Sequence, residues 1–236
     1  MFKLKTQTLL VVAPHPDDEV IGCGGLINKI KENGGRVYVL YLTVGETRDF
    51  SKRGYSGLEE RRKELEEVSK FLKFDGFDLA FEGNDYHLKL DILGQKALMD
   101  VIERESPVSI ERVKPTIIAF PSPASYNQDH RIAAVAAHAS TRPAQADSKH
   151  FVSTVLAYEE PADVWSWQER IEPNFFVPLS KHELLIKIAA FKIYKSQLRT
   201  FPNLRSIDLV RELAVLRGAE VGRELAEGFC QFRGIW

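Results

Sequence analysis

Two cysteines in 236 residues, Cys23 and Cys230, are too few and too far apart for a disulfide framework or a Cys-x-x-Cys metal pair. Apolar runs are short as well, and none approaches the ~20 residues a membrane helix needs. No signal-peptide pattern precedes the first of them, since residues 1–6 lead straight into it. Charge of either sign is not in excess: the net value of -1 leaves no field to attract nucleic acid or an anionic membrane. A phosphate-binding loop of the form Gly-x-x-x-x-Gly-Lys-Ser/Thr is absent, as are internal repeats and low-complexity tracts. These shortages predict a cytoplasmic protein with no nucleic-acid partner and no stable membrane insertion. With 44% hydrophobic and 28% charged residues, the chain has the composition of an ordinary folded domain.

Strand and helix signals alternate along it. The apolar run 8–12 is followed by a helical stretch, 19–33, closed by Gly34-Gly35 in the manner of a C-cap. A strand at 36–43, a polar loop at 45–57 and a charged amphipathic helix at 58–74 come next. Then follow a strand at 77–81, a helix at 91–103, a buried strand at 115–120, a loop at 121–128 and an alanine-rich helix at 129–141. Strands at 151–159 and 175–179 precede two last helices, 181–199 and 205–229. The pattern predicts one α/β domain over residues 1–236, Rossmann-like, with a mainly parallel sheet flanked by helices on both faces and helices at its C-terminal end. In such sheets ligands bind beyond the carboxyl ends of the strands, where strand order reverses. With the order 3-2-1-4-5, that crevice lies between strands 1 and 4.

Chemistry is concentrated at those two strand ends. After strand 1 comes Ala13-Pro14-His15-Pro16-Asp17-Asp18-Glu19-Val20-Ile21-Gly22-Cys23-Gly24-Gly25, and after strand 4 Asn127-Gln128-Asp129-His130. His15 and Asp18, spaced i, i+3, can grip one metal ion, which leaves Asp17 out of phase and free for proton chemistry. Two imidazoles and a carboxylate around an open coordination position suit hydrolytic zinc, so His15, Asp18 and His130 are the candidate ligands. Zinc in such a site lowers the pKa of bound water to about 7 and polarises a carbonyl. Asp17 is placed to take the water's proton and return it to a departing nitrogen, a contribution of about 10²–10⁴-fold. Asp129 would orient an imidazole or a neighbouring backbone, and Asn127 would offer its amide to an oxyanion or to substrate.

Bland readings exist for each. Asp-Asp-Glu at a helix start commonly caps it and offsets its dipole, and His130 alone reads as an ordinary surface or core histidine. His138 reads as structural, while His150 and His182 read as solvated. His87 reads the same way, with a weak claim on substrate. Gly22-x-Gly24 is no dinucleotide fingerprint, because position 27 is Ile27 and the run lies inside a helix. Its glycines are expected to permit close helix packing, and Cys23 to fill space.

Pro14-His15-Pro16-Asp17-Asp18-Glu19 with Gly22-x-Gly24-Gly25 resembles the signature of the LmbE/PIG-L-like zinc N-deacetylases. The similarity extends through Arg61-Arg62-Lys63-Glu64, Asn127-Gln128-Asp129-His130-Arg131 and Thr141-Arg142-Pro143. Later stretches share it: Tyr158-Glu159-Glu160-Pro161, Tyr194-Lys195-Ser196-Gln197-Leu198, Arg205-Ser206 and Arg217-Gly218. The resemblance implies a Rossmann-like hydrolase that removes acetyl from N-acetylglucosamine-type moieties. It also implies zinc on His15, Asp18 and His130, Asp17 as general base, and Arg61 in contact with substrate. One departure stands out. Several family members have histidine where this chain has Asn127, and an amide carries neither a proton nor a charge. The order Asp-Asp-Glu-Val also differs from the Asp-Asp-Val-Glu of the bacillithiol-pathway deacetylases.

The expected function is zinc-dependent removal of an N-acetyl group from a small-molecule amino-sugar substrate, on a glycan, glycoside or glycolipid. Alternatives are an amidase for larger acyl amides (thiol conjugates or antibiotic intermediates) and a non-catalytic sugar or nucleotide-sugar binder. A magnesium phosphoesterase is disfavoured by the two imidazoles. Loops 45–57, 83–90 and 160–174 are expected to set the substrate. Trp165 and Trp167 fit either a sugar face or a subunit contact, and the aromatic segment Phe229, Phe232, Trp236 fits a homo-oligomer.

Overall fold

The first strand shows in six residues why the domain has three layers. In β1 (Thr8–Ala13), Leu9, Val11 and Ala13 pack into one apolar cluster while Leu10 and Val12 pack into another, because successive side chains of a strand point to opposite faces. The computed structural model describes residues 4–48, 52–145, 147–169 and 172–235. After β1 come α1 (Asp18–Glu32), β2 (Arg36–Val44), a hairpin of β3 (Thr47–Arg48) and β4 (Tyr55–Ser56), α2 (Leu58–Leu72) and β5 (Gly76–Glu82). They are followed by α3 (Gly94–Asp100), α4 (Ile110–Val113), β6 (Ile117–Pro121), α5 (Gln128–Ser140) and β7 (Thr154–Tyr158). The chain continues through β8 (Phe175–Pro178), α6 (Lys181–Ile193), α7 (Ile207–Glu220) and β9 (Ala226–Gly234). Helices α1, α2, α6 and α7 cover one face, and α3, α4 and α5 the other. Among the described residues no helix is long and apolar enough to cross a membrane.

The sheet runs β5-β2-β1-β6-β7-β9-β8. Its first five members are parallel and follow the expected order 3-2-1-4-5. The C-terminal reading needs correction. Residues 205–229 are not one helix: α7 stops at Glu220, Gly222 turns the chain at φ +66°, and 226–234 form β9, antiparallel to both β7 and β8. Phe229 is therefore core, packed against Phe175 with ring centroids 6.4 Å apart, and is not available for an oligomer contact. Phe232 stacks on Phe120, and Trp236 lies outside the described residues. The helix expected at 181–199 ends at Ile193, which frees Tyr194, Ser196 and Gln197 to turn inward. The helix expected at 91–103 starts at Gly94, where φ is +76°, and passes into a π-helical turn over Val101–Glu105. The polar loop 45–57 holds the small β3–β4 hairpin; its residues 49–51 lie outside the described residues.

The glycine run of α1 does serve packing. A Cβ on Gly22 would sit 2.2 Å from the ring of Tyr158, whose hydroxyl donates to Val12 O at 3.2 Å and so cannot swing away freely. Gly22→Ala is expected to cost about 1–3 kcal/mol, which lowers the thermal midpoint by several degrees; an unchanged midpoint would show that α1 can slide off β7. Behind the same run, Glu227 of β9 accepts from the backbone N–H of Gly25 (2.7 Å) and Leu26 (2.8 Å) and from Lys187 Nζ (2.7 Å).

Candidate metal centre

β1 lies between β2 and β6, the place where strand order reverses, and the loops leaving β1 and β6 meet there. His15 comes from the first loop, Asp18 opens α1 and His130 lies in the first turn of α5. One ligand atom from each of the three lies within 4.8 Å of the others, and all three residues are buried. Asp18 Oδ2 sits 3.4 Å from His15 Nδ1 and 3.3 Å from His130 Nε2. The tautomer of His15 follows from its neighbour. Asp129 Oδ2 lies 3.0 Å from His15 Nε2, and a carboxylate accepts, so Nε2 carries the hydrogen and Nδ1 keeps its lone pair for a metal. The other Asp129 oxygen accepts from Leu90 N at 2.9 Å, which fixes the orienting group itself. Burial works against charge on Asp18, yet His130 and His15 hold its carboxyl well below the usual range. For His15, burial is likewise outweighed by Asp129 and Asp18, and its pKa is raised. Three converging, deprotonatable donors of this mixed type fit a divalent metal such as zinc.

Asp17 is set apart from this group. It precedes α1 with φ 119°, a strained value for a residue with a side chain, held by its own N–H donating to Glu19 Oε2 at 3.1 Å. Its side chain is 0% exposed, makes no cap hydrogen bond, and leaves both carboxyl oxygens without a hydrogen-bond partner among the described residues. Capping therefore explains Asp18 and Glu19, which accept from His15 N and Asp17 N, but not Asp17. Burial pushes the Asp17 carboxyl up, with Arg205 the strongest charge pulling it back. Glu19 also takes the Tyr194 hydroxyl at 2.6 Å, and burial lifts its pKa to about 8.

The remaining expected residues find mixed places. Asn127 caps α5, its Oδ1 accepting from Asp129 N at 2.9 Å, so its Nδ2 is what remains for substrate. Arg61, in the first turn of α2, is buried; its Nη1 reaches Gly45 O (3.3 Å), Thr47 Oγ1 (3.1 Å) and His87 Nε2 (2.9 Å). Trp165 and Trp167 stand 76% and 85% exposed after β7.

His87 is not solvated, contrary to expectation. The loop after β5 folds back so tightly that a Cβ on Gly45 would meet His87 at 2.6 Å, and the His87 ring stands perpendicular to that of His15, 5.4 Å away. A guanidinium only donates, so His87 Nε2 accepts from Arg61, and Nδ1–H donates to Thr43 Oγ1 at 3.2 Å. Burial, with His15, Arg61 and Arg205 as facing cations and Asp18 opposing them, drives its pKa down to about 2. Unfolding restores an ordinary histidine, so the unfolded chain binds the extra proton between about pH 6.5 and 2 and stability falls as acid is added through that window. In metal-free protein, His87→Phe is expected to flatten this slope by up to about 1.4 kcal/mol per pH unit. Urea midpoints at pH 7, 5 and 4 read it out, and parallel slopes would contradict it.

Buried polar atoms are almost always paired. Nine buried side-chain polar atoms lack a partner among the described residues, and six of them are here: His15 Nδ1, His130 Nε2, both Asp17 oxygens, Arg61 Nε and Glu160 Oε1. Arg205, His87 and Glu160 escape a reading by local spacing because each arrives from a distant loop.

A family model described as PIG-L, GlcNAc-PI de-N-acetylase, matches residues 10–140, more than half of the chain. The diacetylchitobiose deacetylase of Thermococcus kodakarensis is 26% identical over 239 residues, covering 98% of this chain and 85% of its own. Among solved structures, the conserved protein TT1542 of Thermus thermophilus superposes with a TM-score of 0.73 at 24% identity, covering 98% of this chain and 97% of its own. GalB, the 4-carboxy-2-hydroxymuconate hydratase of Pseudomonas putida, superposes with a TM-score of 0.72 at 20% identity, covering 98% of each chain. The fold thus hosts more than one chemistry, and the site must decide.

Proposed function

Because the chain belongs to the PIG-L, GlcNAc-PI de-N-acetylase, family, we propose that it is a zinc-dependent N-deacetylase acting on an N-acetylated amino sugar. The observation that carries this reading is a buried donor cluster: an Asp18 carboxylate oxygen with an unpaired nitrogen on each of His15 and His130, beside Asp17, whose carboxyl oxygens accept no hydrogen bond among the described residues. The deacetylase named for the Thermococcus kodakarensis relative supports the amide chemistry and the sugar class.

His15, Asp18 and His130 would hold the zinc, which supplies an acidified water and polarises the acyl oxygen. Asp17 takes a proton from the water as the water oxygen bonds to the acyl carbon and the carbonyl electron pair moves onto oxygen. Asp17 then gives that proton to nitrogen as the C–N bond breaks, releasing amine and acetate. Its burial favours the first half of the cycle, since a carboxylate whose pKa is raised is a stronger base toward the water than an ordinary one. Asp129 keeps His15 in the tautomer that ligates. Glu19 and Tyr194 hold the strained Asp17 backbone in place.

The test is release of acetate and free amine, measured together, from N-acetylglucosamine, N,N'-diacetylchitobiose, an N-acetylglucosaminyl lipid and a long-chain N-acyl analogue. Equal amounts of the two products from acetylated sugars support the reading. Preference for the long acyl chain would move it to a broader amidase. Stoichiometric zinc with no amine from any of them would sink it.

A further inference from the structure

The acyl oxygen gathers negative charge during attack, and a site rich in carboxylates needs a fixed cation there as well as a metal. Among the described residues, two arginines act on Asp17, Arg205 more strongly than Arg61. They differ in what they have left to offer. Arg61 is enclosed: its Nη1 is shared among Gly45, Thr47 and His87, and its Nε, although unpaired among the described residues, is buried. Arg205 reaches in from the stretch between α6 and α7, with a side chain 32% exposed and its Nε 3.9 Å from Asp17 Oδ2. Its Nη1 donates to Gln197 Oε1 at 3.0 Å, and its Nη2 has no hydrogen-bond partner among the described residues.

The anchored end is built into the fold. Gln197 is buried and donates from Nε2 to Ser56 Oγ (3.3 Å) and Ser196 Oγ (3.0 Å). Ser196 in turn gives its N–H (2.8 Å) and hydroxyl (2.6 Å) to the two oxygens of Glu64 on α2. This chain of hydrogen bonds fixes the Nη1 end of the guanidinium while its Nε end lies 3.9 Å from Asp17 Oδ2, an arrangement that lowers the entropy cost of using it. Asn127 cannot substitute for it, being neutral and having its Oδ1 engaged in the α5 cap.

Resting on the N-deacetylase reading above, we propose that Arg205 is a catalytic residue whose Nη2 donates to the acyl oxygen as that oxygen becomes an anion. The water that Asp17 deprotonates bonds to the acyl carbon, so the reacting carbon must come within contact of that water. A guanidinium 3.9 Å from Asp17 is within reach of the same group. Arg205 thus supplies the charge that an imidazole at position 127 would otherwise bring.

The test compares zinc-loaded wild type, Arg205→Lys and Arg205→Gln in two arms, after equal thermal midpoints and zinc contents show that all three are intact. In the kinetic arm, Arg205→Gln is expected to lower kcat by about 10²–10³-fold and to leave KM within about threefold, as for an interaction made only in the transition state. In the binding arm, calorimetry with methylphosphonate, a tetrahedral anion, should show about tenfold or more weakening in Arg205→Gln, with lysine intermediate. Acetamide, planar and neutral, should bind all three alike. An unchanged kcat, or a loss confined to KM with phosphonate affinity intact, overturns the proposal while leaving the deacetylase reading standing. Wild type that frees no amine from any amide, yet loses phosphonate affinity on Arg205→Gln, overturns the deacetylase reading and keeps Arg205 as an anion-binding group.

Discussion

Asp17→Asn is expected to keep the metal and lose the reaction, by about 10²–10⁴-fold in kcat. The substitution is close to isosteric and leaves His15, Asp18 and His130 untouched. Asparagine also tolerates a positive φ better than most residues, so the 119° backbone survives the change. What disappears is a proton acceptor, since an amide cannot hold the proton taken from water. Removing a buried, unbonded carboxylate relieves a desolvation cost, so folding should not suffer. Zinc content near one per chain with acetate release collapsed is the outcome that fits. Activity within tenfold of wild type would mean that another group takes the proton, for which Glu160, buried with one oxygen unpaired among the described residues, is the candidate.

Stripping the metal is expected to have an effect of similar size. Zinc-free protein should lose several kcal/mol of transition-state stabilisation, about 10³-fold or more in rate, and regain it on stoichiometric zinc. The same experiment reads stability. A metal that binds the folded chain and not the unfolded one stabilises it, so free zinc at 1,000 times its dissociation constant is expected to add about 4 kcal/mol. For a chain of this size that is roughly 8–16 °C in thermal midpoint. His130→Ala should abolish both the rate and the zinc-dependent shift while leaving the metal-free midpoint near that of the wild type. A midpoint blind to zinc, with activity that survives a chelator, would remove the metal from the reaction altogether.

Legibility in the sequence tracks the range of the interactions involved. The His15–Asp18 pair is read easily because i, i+3 spacing is local, and His130 because it opens a helix directly after a buried strand. The parallel order follows from alternation of strands and helices, which each strand reports by itself. His87 and Arg205 could not be read this way. Their burial depends on a loop folding over Gly45 and on a turn braced by Gln197, contacts made 26 residues apart or more from Arg61 and across the whole chain from Asp17. β9 departs from the expected helix for a related reason. Ala226-Glu227-Gly228-Phe229-Cys230 follows α7 with the single glycine Gly222 as its stop signal, and it becomes a strand because β7 and β8 offer two edges to fill. Tertiary pairing there overrode local pattern.

The position of β9 also governs the order in which the protein can be finished. Synthesis delivers the metal-ligating loop first, His130 midway and residues 226–234 after all of them. Yet β9 is an interior strand: until it arrives, β8 has no neighbour in the sheet and the α1 backbone at Gly25 and Leu26 lacks the Glu227 carboxylate behind it. A nascent chain therefore carries every ligand long before it carries the frame that aims them, and the parallel half of the sheet must wait with an open edge. The sheet is thus closed by a late step, made by the stretch of sequence farthest from His15, Asp18 and His130.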